Sequence, residues 1–92
     1  GAKIWYANFE NGDLGRANLK GAEIYESNLV GTNLKDAKLI GATFYQSNLN
    51  GADLTGTSLD EEAAAFIQGE STTRICNTVM PDGDVTNRDC EK

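Results

Sequence analysis

A chain of 92 residues is the size of one domain, and a single core of that size is marginal without a staple. It contains no histidine, two cysteines and a formal net charge of -6. Imidazole chemistry is therefore excluded: there is no histidine general base, no His-Glu-x-x-His zinc site and no Ser-His-Asp triad. No stretch is long and apolar enough to span a membrane, and nothing at the start reads as a signal or transit peptide.

From the first residues the chain repeats every five positions. An apolar residue recurs at Ile4, Phe9, Leu14, Leu19, Ile24, Leu29, Leu34, Leu39, Phe44, Leu49, Leu54 and Leu59, without a slip. A small residue stands two places before each, as at Ala17, Ala22, Ser27, Thr32 and Ala52. Such a register fits neither a helix period of 3.6 nor a strand period of 2, so it predicts a solenoid whose units cannot bury their apolar residues alone. Gly1-Ala2 opens directly in register, which favours a chain that begins inside a longer one over a processed one.

A second period of twenty lies over the first. The blocks AKIWYANFENGDLGRANLKG, AEIYESNLVGTNLKDAKLIG and ATFYQSNLNGADLTGTSLDE align without a gap, so four units make one turn and twelve units make three. The unit small-Asp/Asn-Leu-x-Gly stands intact at residues 17–21, 47–51 and 52–56. Over residues 2–61 it closely resembles the pentapeptide-repeat proteins. The resemblance implies an all-β fold, a right-handed quadrilateral β-helix of about three coils, with the apolar and small residues pointing inward and the other three outward. Identical positions stacked at roughly 4.8 Å would form ladders along its walls.

The alignment places Trp5, Tyr25 and Tyr45 one above another on the outside of the first side. They are either a partner-binding stripe or a structural column that stiffens the wall, its rings stacked on each other or lying beneath the returning tail. Asn8, Asn28 and Asn48 form a second ladder, expected to hydrogen-bond side chain to side chain.

The pattern stops at Leu59. Ser58-Leu59-Asp60-Glu61 has the form of a capping box, with Ser58 as the helix cap. Leu59, Ala63, Phe66 and Ile67 follow as one apolar stripe, and Gly69 is placed to end the helix. An isolated helix of about ten residues would not hold in water, so it is expected to plug the open end of the last coil. The predicted organisation is a repeat β-helix over 1–61 and, in the same domain, a capping helix and tail over 62–92.

The tail contains Cys76 and Cys90, with a turn at Met80-Pro81-Asp82-Gly83 between them. Joining the cysteines would close a loop of about fifteen residues, worth around 3 kcal/mol, and a disulfide is expected over two free buried thiols. Two thiolates fill only half a tetrahedral zinc shell, and the spacing is far from a Cys-x-x-Cys redox pair. Asp82-Gly83-Asp84 lacks the later ligands of a calcium loop. No cofactor and no metal are expected. The segment from Ile75 to Gly83, followed by Asn87-Arg88-Asp89-Cys90, resembles the C-terminal part of pentapeptide-repeat proteins from cyanobacteria and the chloroplast thylakoid lumen. That resemblance implies an oxidising compartment, thylakoid lumen or periplasm.

For function, the expectation is a non-catalytic structural or protein-interaction scaffold, with a protein-binding module on the Trp5, Tyr25, Tyr45 face as the alternative. Its protein partner and oligomeric state are not named by the sequence. Some members of the resembled family mimic DNA and bind gyrase. A gyrase-binding DNA mimic is a further alternative, disfavoured because residues 2–61 contain eight acids and five bases and three coils span only roughly 14 Å, or four base pairs. No basic groove interleaved with aromatics argues for nucleic-acid binding.

Overall fold

The computed structural model describes residues 2–68, 73–87 and 89–90. Its order is β1 (Lys3–Trp5), β2 (Glu23–Tyr25), β3 (Thr43–Tyr45), α1 (Glu61–Gln68), β4 (Thr78–Val79) and β5 (Val85–Thr86). β1, β2 and β3 pair in parallel with Ile4 on Ile24 on Phe44, so the chain advances twenty residues per step. The other sides are held by single parallel bridges: Asn8 to Asn28 to Asn48, Asp13 to Asn33 to Asp53, and Asn18 to Lys38 to Ser58. Four ladders thus run along a β-helix.

Each corner follows from the five-residue unit. The carbonyl of the apolar residue accepts from the amide three places on, as from Ala22 to Leu19 at 3.0 Å and from Ala37 to Leu34 at 3.0 Å. The residue two after the apolar one takes positive φ, as in a type II turn, which is where Gly41 stands at 75°. The corner after the first side is built differently. There the amides of Ala7 and Ser27 donate to the hydroxyls of Ser27 and Ser47, at 3.1 and 3.2 Å, so serine takes the small position to accept from the block before it.

The interior is the stack of apolar and small residues. Ile24, Leu29, Leu34, Leu39, Phe44, Leu49 and Leu54 are buried, with Ala22, Ala37, Ala42 and Ala52 between them. Ile4, Phe9, Leu14, Leu19 and Leu59 are partly buried and pack against that core.

Helix α1 begins later than the capping box predicts. Its cap is Asp60, whose Oδ1 accepts from the Ala63 amide at 2.9 Å. Ser58 is committed elsewhere: its amide donates to Ala37 O and its carbonyl accepts from Leu39 N, so it still belongs to the ladder. The hydrogen bond from Ala63 holds the Asp60 carboxyl below its usual range, aided by a backbone bond from Gly41. Ala63 is fully buried, and α1 lies against β3 as a cover for that end. Gly69 and the side chains of Phe66 and Ile67 fall outside the described residues.

The tail rejoins the tube. Arg74 bridges Asn48 and Val79 bridges Asp53, both in parallel, with a register step of 26 where the tube uses 20. Leu49 N donates to Arg74 O at 2.8 Å, Gly51 N to Cys76 O at 2.8 Å and Leu54 N to Val79 O at 2.7 Å. Thr73 and Thr78 occupy the small position and Ile75 and Met80 the central one, all four buried. Both threonine hydroxyls donate to the tube, Thr73 to Phe44 O and Thr78 to Leu49 O. The tail therefore contains two further repeats, displaced by the residues that form the helix. β4 then turns through Met80-Pro81-Asp82-Gly83, where Gly83 N donates to Met80 O, and pairs antiparallel with β5.

Candidate functional site

The parallel register of β1 to β3 decides the geometry of the outer face. Trp5, Tyr25 and Tyr45 are the last residues of their strands and point outward one above another. Their rings stack: Trp5 on Tyr25 at 4.0 Å and Tyr25 on Tyr45 at 4.9 Å, each pair tilted by 11°. Strand spacing near 4.8 Å is close to the separation of stacked rings, so the wall itself aligns the column. The rings nevertheless remain at the surface: Trp5 is 54 % exposed and Tyr45 36 %. The column is a self-stacked wall that still presents an aromatic surface.

Two carboxylates orient this face. Tyr25 Oη donates to Glu23 Oε1 at 2.7 Å, and that hydrogen bond, with burial and the nearby charge of Glu23, holds the phenol above its ordinary value. Tyr6 is raised likewise by Glu26. Tyr6, which the stacking of like positions does not single out, stands 6.0 Å from Trp5 between ring centres and is 71 % exposed. Its signal was a bulky aromatic at a corner with φ of 54°, a position that elsewhere holds glycine or a polar residue.

The side chains of the asparagine ladder turn to the backbone rather than to one another. Asn8, Asn28 and Asn48 each turn their Oδ1 to the amide two residues on, at 3.0, 3.0 and 2.9 Å, and the Asn28 amide group donates to Glu10. A local turn at each corner outcompetes bonding between levels. On the neighbouring side the expected kind of bond does occur, from Asn33 Nδ2 to Asp13 Oδ1 at 3.1 Å.

Cys76 and Cys90 form a disulfide with Cα atoms 4.9 Å apart, which settles the choice against two free thiols. Asp82 and Asp84 serve the turn, Asp82 Oδ1 accepting from Asp84 N at 3.0 Å. Among the described residues no three histidine, cysteine, aspartate or glutamate side chains come together as a metal site. None of the described helices is long and apolar enough to cross a membrane.

Comparison with known proteins agrees with this geometry. The family model described as Pentapeptide repeats matches in eight copies, over residues 1–36 and 27–61. Among curated proteins no match was found. A pentapeptide repeat protein from the Arabidopsis thaliana thylakoid lumen superposes with a TM-score of 0.51 at 17 % identity, over 91 % of this chain and 61 % of that one. HetL, a pentapeptide repeat protein involved in heterocyst differentiation regulation from the cyanobacterium Nostoc sp. strain PCC 7120, matches with a TM-score of 0.39 and 22 % identity, over 91 % of this chain and 43 % of that one. A pentapeptide repeat protein from the cyanobacterium Cyanothece 51142 matches with a TM-score of 0.30 and 28 % identity, over 86 % and 60 %. The chain thus spans between two fifths and three fifths of these relatives' own lengths.

Proposed function

The chain belongs to the pentapeptide-repeat family, and from that premise we propose that it is a non-catalytic scaffold that meets a protein partner through its aromatic face. The tube is read as right-handed and four-sided, with three coils over residues 2–61. The observation that carries the reading is the column of Trp5, Tyr25 and Tyr45, locked ring on ring yet half open to solvent. A rigid aromatic surface loses little side-chain entropy on binding, which is why tyrosine and tryptophan concentrate in interfaces. Tyr6 at its edge widens the patch. The thylakoid lumen is the compartment favoured, on the disulfide and on the fold shared with a lumenal protein.

The test compares the wild-type chain with a Trp5→Ser, Tyr6→Ser variant as bait in lumenal extracts. These two rings are the most exposed, and removing them leaves the Tyr25 and Tyr45 pair in place. A partner kept by the wild type and lost by the variant, with melting lowered by no more than about 5 °C, supports the face as a contact site. Equal retention by both proteins rejects it and leaves the column a wall element only.

A further inference from the structure

Residues 84–87, 89 and 90 lie where a further repeat would lie, on the outer edge of 73–81. Inside the tube the amide of each apolar residue meets a carbonyl of the next block, as Leu29 N meets Asn48 O at 2.8 Å. At Ile75 the acceptor is instead Oδ2 of Asp89 at 2.8 Å, and Asp89 N donates back to Ile75 O at 2.9 Å. Asn77 N is the counterpart of Gly31 N, which meets Asn50 O, but it donates to Asn87 Oδ1 at 3.0 Å. Met80 N donates to Asp84 O at 2.7 Å. Side chains and a short antiparallel strand imitate the carbonyls of a coil, and the ladder ends there.

The two layers of the tail are held by different forces. Thr73, Ile75, Thr78 and Met80 are buried, whereas Asp84, Val85 and Asn87 are exposed. The outer layer thus has little apolar burial, and it is held by hydrogen bonds, Arg74 Nη2 to Asp89 O at 3.2 Å among them, and by its covalent link from Cys90 to Cys76. Both cysteines are half-exposed. Cys76 O is fixed to the tube by Gly51 N at 2.8 Å, while the Cys90 amide makes a long bond of 3.3 Å to Asn87 O.

We infer that Cys76–Cys90 is an exchange site for a dithiol reductant, and that cutting it frees the outer segment while residues 73–81 stay docked. A thiolate of the dithiol attacks Sγ of Cys90, the more movable of the two. The disulfide breaks, Sγ of Cys76 leaves as thiolate and takes a proton, and the second thiol of the reductant resolves the mixed disulfide, releasing Cys90. The protein gains two electrons and two protons, and the dithiol becomes a disulfide. The amides of Ile75, Asn77 and Met80 then lose their cover, and a bare strand edge is a surface on which another strand can pair. The inference does not depend on which face meets a partner.

Hydrogen exchange of the folded protein with and without dithiothreitol tests it. Opening a loop of this size raises the released population on the order of 100-fold, so the amides of Ile75, Asn77 and Met80 should exchange about 100-fold faster after reduction. Those of Leu29 and Leu34 should not change, and reoxidation should restore protection. A Cys76→Ser, Cys90→Ser variant should exchange rapidly at the three amides with or without dithiothreitol. The inference is overturned if the native disulfide resists dithiothreitol, if mass shows reduction but protection persists, or if Leu29 and Leu34 are exposed together with the tail. Should the double variant not fold, the wild-type comparison decides the matter alone.

Discussion

At the scale of single residues, the position two after each apolar residue bears most of the conformational demand. It takes positive φ whether it holds Gly41 at 75°, Arg16 at 63° or Asp36 at 59°. Glycine adopts this region freely and other residues do so at a cost of roughly 1 kcal/mol. A Cβ on Gly41 would meet nothing nearer than Gly21 N at 3.5 Å, so only φ opposes a side chain there. Gly41→Ala should therefore destabilise by about 1 kcal/mol in urea unfolding, and a loss above about 3 would mean that contact rather than φ excludes the side chain. Tyr25 gives a pH-dependent expectation. Its protonated hydroxyl donates to Glu23 and its pKa in the folded chain is raised, so the contribution is intact below about pH 10, the unfolded value, and disappears as pH rises through the folded one. Between pH 8 and 12 the melting temperature of the wild type should fall more steeply than that of Tyr25→Phe; parallel curves would remove the hydrogen bond from the account.

Among the elements, burial differs along the tube although the repeat does not. Leu34 is fully buried, whereas Leu14, the same position one block earlier, is partly buried. Leu34→Ala should cost about 2–5 kcal/mol and Leu14→Ala about 1–2, measured by chemical unfolding, and equal losses would show that the first block is as enclosed as the second. The helix illustrates where a local motif misleads. Ser58 and Glu61 have capping-box spacing, but Ser58 is held by Ala37 and Leu39, so the first residue free to cap is Asp60. The two tail repeats were written in the sequence as Thr73-x-Ile75 and Thr78-x-Met80, yet the step of 26 hid them from a twenty-residue alignment.

Taken as a whole molecule, the tail is the last layer of the solenoid, because it satisfies the amides of Leu49, Gly51, Leu54 and Gly56. Deleting residues 62–92 would leave those donors and the lower core open, and an open edge promotes association. Light scattering should show concentration-dependent aggregation of the shortened chain; a monomer with unchanged melting would place the tail outside the cooperative unit. The repeat, its twenty-residue turn, the aromatic column and the tail turn were all legible in the sequence. A fixed period leaves only one way to stack like residues on like, and apolar residues five apart have no other means of burial. Only the tertiary structure decided that the asparagines turn to their own backbone, that Asp60 caps the helix and that the tail resumes the ladder. Each of those outcomes is a competition between local and distant hydrogen-bond partners, and the winner depends on which groups the folded tube brings within reach.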